Sequence, residues 1–245
     1  MVLGKRDKLY IRKAILMKDI KLFDSATRLW REIEINLLKQ RWGSRLNKAK
    51  KVLDLGCGEG IIAKTIFNKK LEYGLDNDEQ MVKKAKKSKV YKKIILADGA
   101  KIPLADNSVD LVFSNSVLEH IENIDGVLME VERILSKKGQ LIFTAPSDKL
   151  GEYIGLGKSY GWWFNKKYSH YHLYSLDKWR KLLAKYNLKF IDSYYYLDKE
   201  IIKLWHKLLW MNKFGLKQTV NIDLMIKKAD YLKDGAGVAL IAEKI

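Results

Sequence analysis

The sequence predicts an α/β protein with a doubly wound, mostly parallel seven-stranded sheet whose last strand is antiparallel. Between residues 51 and 147, short apolar runs alternate with stretches of helical spacing. Runs that are apolar on both faces are typical of strands buried in a parallel sheet between helices. An N-terminal amphipathic helix precedes this region, and a helical, aromatic-rich cap is inserted after its fifth strand.

The predicted elements follow one another regularly. Residues 24–42 have apolar positions at helical spacing, with Asp24 or Ser25 as the N-cap. Strands are predicted in the runs KVLDL, LEYGLD, KKIILAD, VDLVFS and GQLIFTA, and helices between them at IIAKTIF, DEQMVKKAKK and GVLMEVERIL. Right-handed crossovers between such strands place the ligand crevice at their carboxyl ends.

After Pro146 the regular alternation stops. Residues 147–174 are rich in glycine, tyrosine and tryptophan, and they precede a helix, a strand, a helix and a strand: SLDKWRKLLAKY, NLKFIDSYYYL, KEIIKLWHKLLWMNKF and AGVALIAEKI. We therefore divide the chain into an N-terminal helical segment (1–50), a ligand-binding core (51–147) and a C-terminal part (148–245) with the cap and the final strands.

Composition and charge limit the function classes. The chain has 245 residues, 47% of them apolar, which suits one domain with a small cap. The first residues lack the apolar stretch of a signal peptide or membrane span, so we expect a cytoplasmic protein. The single cysteine, Cys57, cannot form an intramolecular disulfide, and no metal site is predicted. The sequence does not indicate an oligomeric state.

The net charge of +18 lies almost entirely outside the core, where 15 basic residues face 14 acidic ones. Such an excess attracts nucleic acid, an anionic membrane or an acidic substrate. The alternative is a lysine-rich composition with solvated faces. The helix predicted in KEIIKLWHKLLWMNKF is open to the same two interpretations: peripheral contact with a membrane surface, or a cap packing its aromatic face inward.

The segment VLDLGCGEG places three glycines, Gly56, Gly58 and Gly60, in the turn between the first strand and a helix. Glycine lets a ligand approach the backbone closely, so this turn is predicted to hold one. The next strand ends in Asp76, which is placed to accept hydrogen bonds from both hydroxyls of a ribose.

The spacing of these glycines argues against a dinucleotide cofactor. Ile61 stands where the dinucleotide fingerprint requires its third glycine. Asp54 beside the turn would repel a phosphate, whereas it suits an ammonium group. A dehydrogenase is therefore the least favoured interpretation.

VLDLGCGEG resembles the first motif of the class I S-adenosylmethionine-dependent methyltransferases. The resemblance continues through GLDNDEQMVKKAKK and from ADGAKIPLADNS to GQLIFTAPS, at the spacing of that family from about Lys51 to Ser147. It implies S-adenosylmethionine as the cofactor, held by the core. The residues that it implies are Asp54 with Gly56 and Gly58 for the methionine part, Asp76 for the ribose, Asn77, Asp98 and Gly99 for the adenine, and Asn115 at the methionine end.

Two histidines are candidates for catalysis. His120 follows the fourth strand at the crevice and could act as a base, because histidine titrates near neutrality; alternatively it packs a short helix. His172 begins HLYSLDKWRKLLAKYNLKF, which resembles a segment of methyltransferases that modify small molecules, sugars or lipid-linked precursors. Packing of His172, with Ser175 as a helix cap, explains that segment equally well.

The leading hypothesis is direct transfer of a methyl group to a small-molecule, sugar or lipid-linked acceptor. A second is an RNA methyltransferase that uses the basic flanks for nucleic acid and Trp162, Trp163 and Tyr168 for base stacking. A third is a non-catalytic S-adenosylmethionine-binding partner subunit. We expect residues 148–175 to form a lid over the acceptor, with these aromatics and Tyr171 as its apolar wall; the alternative is that they seal the core edge.

Overall fold

The computed structural model describes residues 23–216, 224–225 and 229–245. The strands are β1 Val52–Leu55, β2 Leu71–Asp76, β3 Tyr91–Leu96, β4 Val109–Asn115, β5 Leu135–Pro146, β6 Leu188–Tyr196 and β7 Gly237–Lys244. The helices are α1 Ser25–Lys48, α2 Ile61–Ile66, α3 Glu79–Ser88, α4 Ile124–Ile134, α5 Leu150–Ile154, α6 Lys158–Lys167, α7 Leu176–Ala184 and α8 Lys199–Lys213, with a 3₁₀ turn at Leu118–His120.

The strands form one seven-stranded sheet in the order β3-β2-β1-β4-β5-β7-β6. Strands β1 to β5 pair in parallel, and β7 runs antiparallel between β5 and β6. The predicted fold, a mostly parallel sheet with an antiparallel last strand, is confirmed. The strand order reverses between β1 and β4, so the crevice for a ligand opens at the carboxyl ends of these two strands.

The core has two parts, one on each face of the sheet. Apolar side chains of α4 and α7, including Val131 and Trp179, cover one face. The other face is covered by α1 together with α5, α6 and α8. Ile33 of α1 and Ile202 of α8 belong to this part of the core. The N-terminal helix and the cap therefore pack together on the same side of the sheet.

Helix α1 begins where the sequence predicts, because Asp24 accepts hydrogen bonds from the backbone N–H groups of Ala26 and Thr27. Further along this helix, the side chains of Arg41 and Trp42 both donate to the carboxylate of Asp192 on β6. These contacts fix α1 across the sheet. None of the helices in the described ranges is long and apolar enough to cross a membrane.

Trp179 anchors α7 to the sheet and provides a test of the fold. Its side chain is 0% exposed, and its ring lies 4.8 Å from that of Phe143 on β5. We expect Trp179→Ala to lower the free energy of unfolding by about 3–5 kcal/mol, because it leaves a large cavity. Trp162→Ala is the matched control: Trp162 is 66% exposed, so its loss should change stability by less than about 0.5 kcal/mol. Urea unfolding measures both, and equal effects would contradict this packing.

Candidate functional site

The turn after β1 forms one wall of the crevice. The backbone N–H groups of Gly56 and Cys57 both donate to the carbonyl of Leu75 on β2, at 2.8 and 2.9 Å. Gly58 has a φ of +50°, and a Cβ atom built on it would meet no atom within 4 Å. The backbone at Gly58 thus borders open space that a ligand can approach closely.

Asp76 lies at the carboxyl end of β2 and ties this turn to the start of α3. Its Oδ2 accepts from the backbone N–H of Gly58 at 2.8 Å, and its Oδ1 accepts from that of Asp78 at 3.0 Å. A carboxylate has about four lone-pair sites, so each oxygen retains one for a further donor. Asp76 can therefore hold the turn and still accept two hydroxyl hydrogen bonds.

A cleft of about 470 Å³ opens at these strand ends. Several residues predicted from the sequence line it: Gly56, Asp76, Asn77, Asp98, Gly99 and His120. They come from the turns after β1, β2, β3 and β4, which the parallel sheet brings to one edge. The cleft thus joins acceptors at one end, including two carboxylates, with a histidine at the other.

Three of the residues predicted to hold the cofactor do not line the cleft. Asp54 is buried in β1 and accepts a 2.5 Å hydrogen bond from the Tyr91 hydroxyl; burial raises its pKa to about 7. The N–H of Gly58 is already used by Asp76. Asn115 donates to Thr144 and accepts from Arg31. Their roles in ligand binding stay predictions, and in the structure all three support the walls.

A second, smaller pocket of about 150 Å³ adjoins the cleft, with which it shares Ser116 and His120. Apolar side chains form much of its wall, and Arg31, Glu119 and His170 add polar groups. The remaining lining residues are Thr27, Trp30, Pro146, Leu150 and Trp205. Helix α1, the 3₁₀ turn and the cap all contribute to this pocket, so it forms only when they pack together.

Glu119 and His120 face this pocket from the 3₁₀ turn. Glu119 is 1% exposed, and its Oε2 atom has no hydrogen-bond partner among the described residues. Burial raises the pKa of Glu119 to about 8. Burial lowers the pKa of His120, whose Nδ1 lies 3.2 Å from the carbonyl of Ser169. A carbonyl only accepts, so Nδ1 of the neutral ring carries the proton, and Nε2 keeps its lone pair and lies 3.6 Å from Oε1 of Glu119.

His170 lies beside His120, with the two ring centroids 5.1 Å apart. Burial and the neighbouring His120 lower the pKa of His170 to about 4, so its ring is neutral near pH 7. Near pH 7 the rings of His120 and His170 are therefore neutral and Glu119 is protonated, so these three side chains are polar but uncharged.

The geometry does not support a catalytic role for His172. Its Nε2 contacts the carbonyl of Ile121 at 2.8 Å, and its Nδ1 contacts the Tyr174 hydroxyl at 2.9 Å. Both nitrogens are thus used within the protein, and His172 lines neither cavity. The alternative interpretation, a packed histidine that holds the loop before α7, agrees with these contacts.

Arg31 and Glu34 of α1 form an ion pair of 2.7 Å at the pocket, in which Glu34 is buried and Arg31 is partly exposed; the sequence did not reveal it. The same Nη1 atom of Arg31 donates to Ser116 at 2.7 Å, and the Tyr196 hydroxyl donates to Glu34. Burial alone would raise the pKa of Glu34, but Arg31 and Tyr196 hold it below its ordinary value. The spacing of apolar residues in the sequence of α1 indicated only that one face of this helix is buried.

The predicted aromatic wall lies elsewhere. Trp162, Trp163, Tyr168 and Tyr171 are exposed on the outside of the cap, and none of them lines the acceptor-sized pocket. Helix α6 turns Gly161 and Phe164 inward instead, which directs the two tryptophans between them to solvent. Leu150 and His170 are the residues that this segment contributes to the pocket. The residues assigned to the wall were therefore wrong, and movement of the segment as a lid stays a prediction.

Comparison with known proteins gives a family for this geometry. Residues 53–143 match the family model described as a methyltransferase domain. Over 101 residues the chain is 32% identical to the malonyl-[acyl-carrier protein] O-methyltransferase of Legionella pneumophila, a match that covers 39% of this chain and 36% of that protein. The chain thus spans little more than a third of that relative's length. Over 199 residues it is 30% identical to the uncharacterized protein MJ1123 of Methanocaldococcus jannaschii, covering 79% of this chain and 82% of that protein.

Solved structures share the fold at low identity. An S-adenosylmethionine-dependent methyltransferase from Thermotoga maritima superposes with a TM-score of 0.60 at 19% identity, covering 97% of this chain and 95% of its own. A geranyl diphosphate methyltransferase in complex with S-adenosylmethionine has a TM-score of 0.59 at 14% identity and covers 90% of both chains. These likenesses extend beyond the core to the cap side of the molecule.

The raised pKa of Glu119 predicts how stability depends on pH. Because its folded pKa of about 8 exceeds the ordinary 4.5, the folded state binds more protons between these values. Stability is then lost as pH rises through that window, by up to about 1.4 kcal/mol per pH unit. Glu119→Gln is always neutral, so it should gain stability relative to the wild type between about pH 5 and pH 9.

Urea unfolding at both pH values measures this difference. Glu200→Gln, at an exposed position in the first turn of α8, is the control and should follow the wild type. If Glu119→Gln also follows the wild type, the buried carboxyl does not have the raised pKa.

Proposed function

We propose that the chain is a class I S-adenosylmethionine-dependent methyltransferase, as the match of residues 53–143 to a methyltransferase domain supports, and that it methylates a small-molecule, sugar or lipid-linked acceptor by direct displacement. The observation that carries this proposal is the junction of the 470 Å³ cleft with the 150 Å³ pocket at Ser116 and His120. Such a junction lets a donor in one cavity meet an acceptor in the other.

The cleft fits the family's cofactor, S-adenosylmethionine. Gly56 and Asp76 line the cleft, and Asp76 has free lone pairs for two ribose hydroxyls. Asn77 would lie beside the adenine, and Asp98 with the Gly99 backbone would meet its edge. When bound, the cofactor supplies an electrophilic methyl group on a positively charged sulfur.

The pocket supports an acceptor whose reacting part is small. Its volume of about 150 Å³ is less than a third of the 470 Å³ of the cleft. Trp30, Leu150 and Trp205 provide apolar walls that exclude water from the acceptor. Direct displacement requires little else from the protein than alignment of the two reactants.

His120 is our candidate for the group that takes a proton from the acceptor. Its Nε2 has a lone pair and lies 3.6 Å from Oε1 of Glu119, and its lowered pKa keeps the ring neutral at pH 7. For a hydroxyl or amine acceptor, the new bond to the methyl carbon would form as the bond from that carbon to sulfur breaks, with S-adenosylhomocysteine as the leaving group, and the proton would move to this nitrogen. Glu119, protonated at the same pH, can donate a hydrogen bond to another acceptor atom without adding charge to the pocket.

Radiolabelled S-adenosylmethionine and fractionated cell extract, with and without nuclease, test the proposed acceptor class. We expect label in a low-mass or lipid fraction that nuclease does not remove. Nuclease-sensitive label would favour the RNA methyltransferase hypothesis, for which the basic flanks argue. Cofactor binding without any transfer would instead favour a partner subunit.

Asp76 provides a test of the cofactor site. Asp76→Ala removes acceptors for two charge-assisted hydrogen bonds of about 1.5–3 kcal/mol each. We expect affinity for S-adenosylhomocysteine, measured by calorimetry, to fall at least about a hundredfold. Asp78→Ala is the matched control, because Asp78 caps α3 two residues away and does not line the cleft. Unchanged affinity in folded Asp76→Ala, or stabilisation of the wild type by NAD, would contradict the assignment.

The two histidines can be separated by their effects on rate. His120→Gln should lower the rate of transfer to a hydroxyl or amine acceptor by about a hundredfold or more, because a general base is lost. In the wild type, the rate of transfer should fall at acidic pH as His120 becomes protonated, at a pH below the ordinary histidine pKa. His120→Gln should remove this fall. His172→Gln should keep both, since its ring contacts only the protein. A larger loss in His172→Gln would reverse the assignment.

A further inference from the structure

One surface of the cap combines exposed aromatic side chains with lysines, and we name it the aromatic–lysine face. It is formed by α6 and the residue after it together with the end of α8 and the residues that follow. Its apolar members are Trp162, Trp163, Tyr168, Trp210, Phe214 and Leu216, all of them exposed. Trp162 and Phe214 are the most open of these, at 66% and 65% exposure. A cluster of this kind on a protein surface marks an interaction site.

The two helices present these side chains together. A groove between α6 and α8 is lined by Trp163 and Lys167 on one side and by Trp210 and Lys213 on the other. The rings of Trp210 and Phe214 stack at a centroid distance of 6.0 Å. The face is therefore continuous across both helices and does not consist of scattered side chains.

The two segments that form the face carry a net positive charge, and one acid of another element, Asp24, accepts a hydrogen bond from Asn212 near the end of α8. Residues 158–167 and 199–216 contain a single acid, Glu200 in the first turn of α8, and no arginine. Their lysines are Lys158, Lys166, Lys167, Lys199, Lys203, Lys207 and Lys213. Such a distribution is complementary to an anionic surface.

The lysines also lie against the aromatic rings. The ammonium of Lys166 is 5.2 Å from the ring centroid of Trp162, and that of Lys167 is 4.9 Å from Trp163. Lys213 lies 5.1 Å from Trp210 in the same way. One face of each indole is thus covered, which disfavours stacking of nucleic acid bases between open rings. A tryptophan with a lysine beside it instead suits the boundary between lipid tails and headgroups.

We propose that the aromatic–lysine face docks the protein onto an anionic lipid bilayer. The rings and Phe214 enter the boundary region, and the lysines contact the headgroups. Docking of this type leaves the helices parallel to the membrane surface, in keeping with their lengths of 10 and 15 residues. Docking is independent of methyl transfer and is measured as binding.

The face is adjacent to the pocket for the acceptor. Phe164 lines the groove, and its ring lies 5.9 Å from that of Trp205, which lines the pocket. If the proposed function holds, on which this step rests, a docked protein would receive its acceptor from the bilayer. A lipid-linked acceptor is therefore favoured over a freely diffusing one.

Co-sedimentation with vesicles tests the docking. We expect binding of the full chain to vesicles of phosphatidylcholine with phosphatidylglycerol, and much weaker binding to phosphatidylcholine alone. A lysine near an anionic surface contributes about fivefold in binding. Lys166→Glu with Lys167→Glu should therefore weaken binding about 25-fold or more.

Two matched controls test whether binding depends on this face or on any exposed lysine or apolar side chain. Lys86→Glu with Lys87→Glu makes the same change in the last turn of α3, another ten-residue helix, and should have a small effect. Trp162→Ser with Phe214→Ser should also weaken binding, whereas Met129→Ser on α4, at a site 60% exposed, should not. Thermal melts check that each variant is folded.

Three outcomes would overturn the proposal. The first is equal loss of binding in the two lysine pairs. The second is binding of single-stranded RNA, but not vesicles, that the face variants abolish. The third is a dimer in light scattering that Trp162→Ser dissociates, which would assign the face to a second copy of the chain. Vesicle binding without transfer of label to lipid would leave docking intact and contradict only the lipid-linked acceptor.

Discussion

The arrangement of the crevice depends on the ion pair between Arg31 and the buried Glu34. Arg31 Nη1 donates to Glu34, to Asn115 at the end of β4 and to Ser116 just beyond it, and Glu34 also accepts from Tyr196 on β6. Helix α1 is thereby bonded to two separate strands at the carboxyl edge of the sheet. A buried charge that loses its partner is strongly destabilising, so these contacts specify one position for the helix. The pocket exists because α1 is held there.

The same ion pair explains why two nearby glutamates behave differently. Glu34 has Arg31 and Tyr196 as partners, and these contacts outweigh the burial that would otherwise raise its pKa. Glu119 is equally buried, and its Oε1 lies 3.6 Å from Nε2 of His120. Burial outweighs the lowering effects of a backbone hydrogen bond and of Arg31, so the pKa of Glu119 rises to about 8. Environments that push the pKa values of neighbouring groups apart are typical of sites where protons are handled. One carboxyl thus maintains the structure, while the other stays neutral beside His120.

Sequence patterns predicted the sheet and six of the residues that line the cleft, for a physical reason. Asp76 and Asp98 follow strands whose apolar runs are local signals, and a parallel sheet then brings the strand ends together whatever the long-range contacts are. Arg31 and Glu34 could not be identified in this way, because their partners outside α1 lie 82 to 162 residues away in the chain. The aromatics of the cap were misplaced for a related reason. Only the packing of α6 against its neighbours determines that Phe164 turns inward while Trp162 and Trp163 turn outward.

Helix α8 connects the interior of the pocket with the outer surface of the cap. Trp205 and Trp210 are five residues apart, which places them about 140° apart around a helix of 3.6 residues per turn. Trp205 packs against Trp30 of α1 at 5.1 Å and lines the pocket, whereas Trp210 lies on the aromatic–lysine face. Two side chains point between these directions around the helix, His206 and Leu209, and both line the groove. The inner side of this helix therefore packs as a cap at the pocket, whereas contact of its outer side with a membrane stays a prediction. Because one helix forms both surfaces, a partner bound to the outer side would contact the same element that lines the pocket.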